Sequence, residues 1–288
     1  MRSTIISTEI GSIAKIIGEE KAVELVAKAG FDAWDFSMFA MCRFDWTQRK
    51  CIENDHPLSG KNYLQFARQL RKIGEDNGIY CNQAHAPFPV EDPDIRSCLK
   101  RAIECTAEAG GHLCVIHPQK DYTPEENAQY YWELLPFAKD HDVRIATENM
   151  WGWDKEQDQA IFAACATPES FCAHIDAVND PYFVACLDIG HAEMRGVNTS
   201  APEMVRALGN RLQALHIHDN DKWHDSHKLP FTMDIDFEKV VQALKEIDYS
   251  GDFTLEADRH LVGRTPEEVF AGIQEMAKAT RKFADMCK

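Results

Sequence analysis

The sequence predicts an α/β fold, a single (β/α)8 TIM barrel, on three observations. Eight short runs, wholly apolar or alternating with period two, are separated by longer segments with apolar residues every three to four positions; this is the pattern of strand-helix units around a parallel sheet buried on both faces. Six of those runs end in an acid or a histidine, which places chemistry at one rim of a barrel. No linker, low-complexity tract or charge block divides the 288 residues, so 1–288 reads as one domain of the length a barrel needs.

The first strand falls near 4–8, and only a short loop, 9–17, carrying Lys15 as its one cation, separates it from a helix over 19–29 that stops at Gly30. Strand two covers 31–36. The stretch 38–57 reads as a long loop carrying Met41, Phe44, Trp46 and His56, before a helix over 61–77 that ends at Gly78. Strand three, 79–84, delivers His85 before Pro87 breaks the run. A helix over 93–109 ends at Gly110-Gly111, and strand four, 112–116, delivers His117 before Pro118. Thr123-Pro124-Glu125-Glu126 starts a helix to about 141, with proline at the first helical position and acids in the first turn. Strand five, 143–147, ends at Glu148. After Trp151-Gly152-Trp153 the pattern predicts a helix over 158–166 and a shorter turn after Pro168. Strand six is 183–187, followed by a helix over 201–208, strand seven at 212–217, a helix over 236–247 and strand eight at 252–255. Thr265-Pro266-Glu267-Glu268 starts the last helix as Thr123 starts the earlier one.

With 47 acidic against 31 basic residues, the formal charge of −16 opposes binding to a phosphate backbone and favours a small substrate over nucleic acid. The ten cysteines include no Cys-x-x-Cys pair, and Cys81, Cys114 and Cys186 lie inside apolar runs; buried free thiols explain them better than a disulfide framework. With no signal-like N-terminus and no apolar run of membrane-spanning length, the expectation is a soluble cytoplasmic protein.

The chemistry centres on Leu187-Asp188-Ile189-Gly190-His191, where a carboxylate and an imidazole leave the end of a buried strand. Glu148, Asp188, His216 and Glu256 end strands five to eight, which are neighbours in a barrel. Their mixed oxygen and nitrogen donors suit one divalent ion such as Mn, Zn or Co. Without a cation these acids would repel one another, although some of them could instead cap helices or pair with Arg144 and Arg259. His216 and His218 are two apart and face the same side of their strand, so the choice between them stays open. Asp225 and His227, with His85 and His117, either add metal ligands, up to three ions in all, or bind substrate and orient the carboxylates. Glu148 and Glu256 are the candidate acid-base pair, able to remove a proton beside a polarised oxygen and return it. His85 and His191 are candidates to bind substrate oxygens, and Trp46, Phe88, Trp151, Trp153 and Trp223 to exclude water. Lys222 and Arg259 complete the candidate substrate contacts.

In this order, His85-Ala86-Pro87, His117-Pro118, Glu148-Asn149, Asp188-Ile189-Gly190-His191, His216-Ile217-His218-Asp219-Asn220, Asp225-Ser226-His227 with Pro230, and Gly251 through Glu256 resemble the xylose isomerase-like barrels. The resemblance covers essentially the whole chain. That superfamily contains sugar and sugar-phosphate isomerases and epimerases, inosose dehydratases and the endonuclease IV group. In its isomerases and epimerases, the positions matching Glu148, Asp188, a strand-seven histidine and Glu256 hold one metal, with the two glutamates as acid and base. The His-x-x-Asp-Asn form implies His216, whereas similarity to ketose epimerases implies His218. The endonuclease group holds three zinc ions on nine ligands, matched here by His85, His117, Glu148, Asp188, His191, His216, Asp225, His227 and Glu256.

Two departures narrow what the resemblance implies. Pro230-Phe231-Thr232-Met233-Asp234 stands where many sugar-acting members carry Pro-x-x-Gly-x-Gly or Pro-Gly-x-Gly, and the arginine that some ketose epimerases place after strand seven is absent, Lys222 being nearest. The resulting expectation is a metal-dependent isomerase or epimerase of a sugar or sugar phosphate. The alternatives are a trinuclear zinc phosphodiesterase and a dehydratase acting on a polyol or keto-inositol. A homodimer or homotetramer is expected, with the aromatic loop 39–46 able to reach a neighbouring subunit.

Overall fold

In the computed structural model, which describes residues 4–288, the eight apolar runs form one parallel sheet. Its strands are β1 (Ile6–Thr8), β2 (Ala33–Ser37), β3 (Tyr80–His85), β4 (Leu113–Val115), β5 (Arg144–Glu148), β6 (Phe183–Asp188), β7 (Leu212–Ile217) and β8 (Phe253–Leu255). From β2 to β8 consecutive strands pair, and β8 pairs with β1. Between β1 and β2, the Asp32 amide donates to Ile6 O (3.0 Å) and the Ile10 amide to Asp35 O (3.2 Å), which closes the barrel. Closure leaves no edge of the barrel sheet open to another chain.

The period of two decides what fills the barrel. Val115, Ala146, Cys186 and Ala214 are buried in contact with Val184 as a small apolar cluster inside the wall. His117, Glu148, Asp188 and His216 lie two residues further along the same strands and so face the same interior. The candidate site is therefore the top layer of the barrel filling, fixed by the same alternation that packs the layers beneath it. The opposite faces of the strands carry the larger side chains, among them Ile6, Phe36, Ile145, Leu187 and Leu215, which pack under the helices as the main core.

Local signals hold where a backbone group needs a partner. Gly30 ends helix Glu19–Ala29 in the left-handed conformation at φ 99°, and Thr123 with Glu126 makes a reciprocal capping box at the start of helix Pro124–Trp132.

Several expectations need correction. The loop 9–17 contains a helix, Gly11–Ile17, whose first turn is held by the Glu9 carboxylate accepting from the Ser12 amide. The single helix expected to reach 141 is two, Pro124–Trp132 and Leu135–Asp140, because Pro136 has no amide to continue the first. The segment 158–166 is not helical: Gly152–Asp154 and Gln159–Ile161 pair as an antiparallel hairpin. Its alanines suggest helix, but Asp154 Oδ1 accepts the Glu156 and Gln157 amides and makes a turn instead. Pro168 starts an 11-residue helix, Pro168–Val178, rather than a short turn. The last helix spans Val269–Met286, later than Thr265 implied. Within 38–57, Arg43–Asp45 and Lys50–Ile52 form a second hairpin. Among the described residues no helix is long and apolar enough to cross a membrane.

Candidate metal centre

Strand register brings the site together. Asp188 lies opposite His216 across β6 and β7, and Glu148 opposite Cys186 across β5 and β6, so the barrel stagger sets Glu148 one layer below Asp188. Asn149 locks this corner: its side chain accepts from the Asp188 amide (2.8 Å) and donates to Asp188 O (2.9 Å). The loop after β7 is pinned by Asp219, whose carboxylate accepts the amides of Thr232 (3.0 Å), Met233 (2.8 Å) and Ile235 (3.1 Å). That anchor folds 219–228 back over the barrel and delivers Asp225 and His227 beside His191. Gly190 is required by close approach, since a Cβ there would lie 1.9 Å from the His218 ring.

Three groups of donors stand out, with a further one, His85, His216 and Glu256, overlapping the first two; each has its ligand atoms within 4.8 Å of one another. The first is Glu148, Asp188, His216 and Glu256. The second is His85, His117 and Glu148, and the third His191, His218, Asp225 and His227. Glu148 belongs to the first two, and Asp188 touches the third through His218 Nε2 at 3.0 Å.

The imidazoles are oriented as ligands. His85 Nδ1 meets Ala86 O (2.9 Å), His191 Nδ1 meets Asn149 O (2.9 Å) and His227 Nδ1 meets Glu256 O (2.7 Å). In each, Nδ1–H donates to a backbone carbonyl, which turns Nε2 toward the cluster. His85 Nε2 then faces His117 Nε2 at 3.1 Å and Glu148 Oε2 at 3.5 Å, an arrangement of lone pairs that calls for a proton or a cation between them. His216 is turned the other way, with Nδ1 3.3 Å from both Glu148 Oε1 and Glu256 Oε2. Buried polar atoms left without a hydrogen bond gather at this place: Glu148 Oε2, Asp188 Oδ2, His216 Nδ1, His218 Nδ1 and Asp225 Oδ1. Unpartnered buried acceptors are costly, and a divalent cation satisfies several at once, so the donor set fits a metal.

Electrostatics separates the two glutamates. Burial would raise both, but around Glu148 it is outweighed by His216 and His117, which hold that carboxyl well below the usual range. Burial, with Glu148 nearby, pushes Glu256 up to about 8 although His216 opposes it. Burial also opposes charge on His191, yet Asp188 and Asp225 hold it up to about 10, while burial takes His117 down to about 4.

The remaining candidates are spread around the mouth. Trp46 is 59% exposed on the hairpin Arg43–Asp45/Lys50–Ile52; its ring centroid lies 6.1 Å from Phe88, which stacks on His117 at 4.9 Å. Trp151 lies edge-on to His191 at 6.2 Å. Lys222 is held by Glu193 at 3.0 Å, and Arg259 is exposed. Neither His216 nor His218 stands aside: the first joins the central group and the second the outer one.

Two kinds of residue at the site escaped the sequence reading. Lys120 is half-buried with its ammonium 5.6 Å from the Trp151 ring, under the fields of Glu91 and Asp225; only the fold brings it near them. Asp35 and Gln83 form the floor. Gln83 Nε2 donates to Asp35 Oδ2 (2.8 Å) and lies 3.1 Å from His216 Nε2, and Asp35 Oδ2 is 3.7 Å from the same nitrogen. Each is polar inside an apolar strand, a signal the sequence did contain. Were Nδ1 to bind a cation, His216 would carry its proton on Nε2, where Asp35 Oδ2, at 3.7 Å, is the nearest carboxylate. Asp35→Asn is expected to weaken metal affinity by roughly 10- to 100-fold without loss of fold, measured by competition with a chromophoric chelator. Unchanged affinity would remove Asp35 from this role.

The model of the family described as the xylose isomerase-like TIM barrel matches residues 23–282. The chain belongs to that family. An uncharacterised protein of Sinorhizobium fredii is 30% identical over 283 residues, covering 86% of this chain and 84% of that one. Among solved structures, a D-tagatose 3-epimerase-like protein superposes with TM-score 0.69 at 21% identity, covering 98% of each chain. The 3-keto-D-glucoside 4-epimerase of E. coli superposes with TM-score 0.67 at 14% identity, covering 98% of this chain and all of that one. These two likenesses concern the fold, which the family shares across its length.

Proposed function

We propose that this protein is a divalent-metal-dependent isomerase or epimerase of a sugar or sugar phosphate. The observation that carries the reading is the pair Glu148 and Glu256. Both carboxylates lie 3.3 Å from His216 Nδ1, yet their surroundings push their proton affinities in opposite directions. Two carboxyls in such unlike surroundings, facing one site, are the candidate acid-base pair. Mn, Zn or Co held by Glu148, Asp188, His216 and Glu256 would polarise a carbonyl or hydroxyl oxygen of a polyol and acidify the neighbouring C–H.

The chain's own residues supply the rest. Glu148 and Glu256 are the pair that exchanges the carbon-bound proton, one accepting it and the other returning one, so a proton moves between two carbons or one carbon inverts. His85 and His191 offer donors to substrate oxygens. Trp46, Phe88 and Trp151 wall the mouth and keep bulk water from the exposed carbanionic carbon. The likeness to a D-tagatose 3-epimerase-like protein and a 3-keto-D-glucoside 4-epimerase supports proton transfer next to a carbonyl. The test is a panel of ketoses, keto-glycosides and their phosphates in deuterated water. Deuterium entering recovered or epimerised sugar is the expected result. Elimination products would turn the reading to a dehydratase, and a metal-loaded protein with neither outcome would sink both.

A second reading has its own observation. The donor groups include all nine residues that match the endonuclease IV pattern, and His85 Nε2 faces His117 Nε2 as two ligands of one ion would. That reading is a trinuclear zinc phosphodiesterase. The charge of −16 counts against a polynucleotide substrate. Elemental analysis decides: three zinc per chain favours it, one metal favours the isomerase.

A further inference from the structure

The hairpin beside the mouth carries two cysteines that the sequence reading placed among ordinary buried thiols. Cys51 lies opposite Phe44, so Cys42, two residues before Phe44, sits diagonally from Cys51 on the same face of the ribbon. Their Sγ atoms are 2.6 Å apart, and among the described residues no other two cysteine sulfurs come within hydrogen-bonding reach. Both are half-buried, open to a small reagent, whereas six of the other eight cysteines are buried. The Cys51 thiol also donates to Asp92 Oδ1 at 3.4 Å.

We propose that Cys42 and Cys51 form a reversible disulfide, made by exchange with a low-molecular-weight disulfide such as oxidised glutathione, that pins the Trp46 hairpin over the barrel mouth. The Cys42 thiolate attacks one sulfur of oxidised glutathione, breaking its S–S bond and releasing one glutathione thiolate. The Cys51 thiolate then attacks the Cys42 sulfur and releases the second. Two protein thiols are oxidised, one glutathione disulfide is reduced, and the two protein protons end on two glutathione thiols.

The consequence for the site follows from contacts. The turn between the cysteines holds Trp46, which packs on Phe44 at 5.0 Å and on Phe88 at 6.1 Å; Phe88 stacks on His117 and lies 5.7 Å from His85. Free of the cross-link, the hairpin is a two-stranded ribbon held by three residue pairs, a marginal element by itself. Cross-linked, its strands cannot separate, and the aromatic wall stays assembled. Burial raises the Cys42 thiol, and burial together with Cys42 and Asp92 raises that of Cys51, so exchange is slow at neutral pH and quickens as pH rises.

The test treats the full chain with oxidised glutathione, alkylates the remaining thiols under denaturing conditions, and maps the peptides by mass spectrometry. The expected product is a Cys42–Cys51 cross-link with the other eight cysteines alkylated; Cys51→Ser should stop at Cys42 glutathionylation. Asp92→Asn, which keeps a competent helix cap, should speed the exchange about severalfold. Tryptic cleavage at the exposed Arg49 and Lys50 should slow roughly tenfold in the oxidised chain and recover on reduction. The proposal is overturned if both cysteines remain alkylated, if Cys42 pairs with Cys98 instead, or if chelation of a tightly bound zinc is what exposes them. A cross-link that leaves tryptic cleavage unchanged overturns the pinning.

Discussion

Glu148→Gln is expected to remove turnover and metal retention together. Glu148 is the carboxylate shared by the central group and the His85–His117 group: it ends β5 between His85 and His117 on one side and His216 on the other. The substitution keeps shape but removes the charge that attracts a cation and the base that accepts a proton. A loss in kcat of about 10²–10⁴-fold is expected from the proton-transfer role, with a fall in metal content besides. Glu256→Gln should cost turnover on the same scale, but it leaves Glu148, Asp188 and His216 to bind metal, so the two variants separate in elemental analysis. If Glu148→Gln kept full metal content and turnover, the central assignment would be wrong. A merely structural Glu148 would instead show itself as lost folding, read by circular dichroism.

Removing the metal is expected to lower thermal stability in a pH-dependent way. A ligand present at about 1,000 times its Kd stabilises the native state by about 4 kcal/mol, or roughly 10 °C in Tm for a domain of this size. The pH dependence follows from which groups hold protons in the metal-free fold. His191 is held up to about 10 and Glu256 up to about 8, both above their ordinary values, so here the native state binds more protons than the unfolded chain. Stability from His191 is complete below about pH 6.5 and is lost as pH rises through about 10. Glu256 acts in the same direction between about 4.5 and 8. Metal binding needs these groups deprotonated and therefore strengthens over the same interval. Scanning calorimetry with and without chelator should show the gap in Tm widening from pH 6.5 to 9; a constant gap would mean that the protons and the metal do not share ligands.

Metal identity and number bear on both results. The mixed donors of the central group accept Mn, Zn or Co, and the outer groups, with three histidines and Asp225 in one, lean toward softer ions. If the outer groups load as well, Glu148→Gln loses more than one equivalent, which ties its elemental analysis to the choice between isomerase and phosphodiesterase.

The sequence by itself determined the barrel and the level of the site. Eight apolar runs with period two or full burial need a parallel sheet covered on both sides, and the same alternation points His117, Glu148, Asp188 and His216 inward above Val115, Ala146, Cys186 and Ala214. Those assignments rest on local periodicity, which survives folding because strand geometry is the same wherever a strand lies. Helix boundaries such as the Gly30 stop and the Thr123 start were legible for the same reason, whereas the Thr265-Pro266 signal preceded its helix by four residues. The region 149–178 was not, since its alanines favour helix while the Asp154 turn sets a hairpin instead, and Pro168 opens a full helix where only a short turn was expected. Tertiary structure alone decided which histidine serves which group. His216 and His218 are equivalent in strand parity, and only the stagger of β7 against β6 sets one against Glu148 and Glu256 and the other against Asp188 and Asp225. It alone decided, too, that Asp35 and Gln83 lie beneath His216, that Lys120 approaches Trp151, and that Cys42 meets Cys51. Such contacts join residues from different elements, and their distances depend on barrel closure and loop return, quantities that no local pattern encodes.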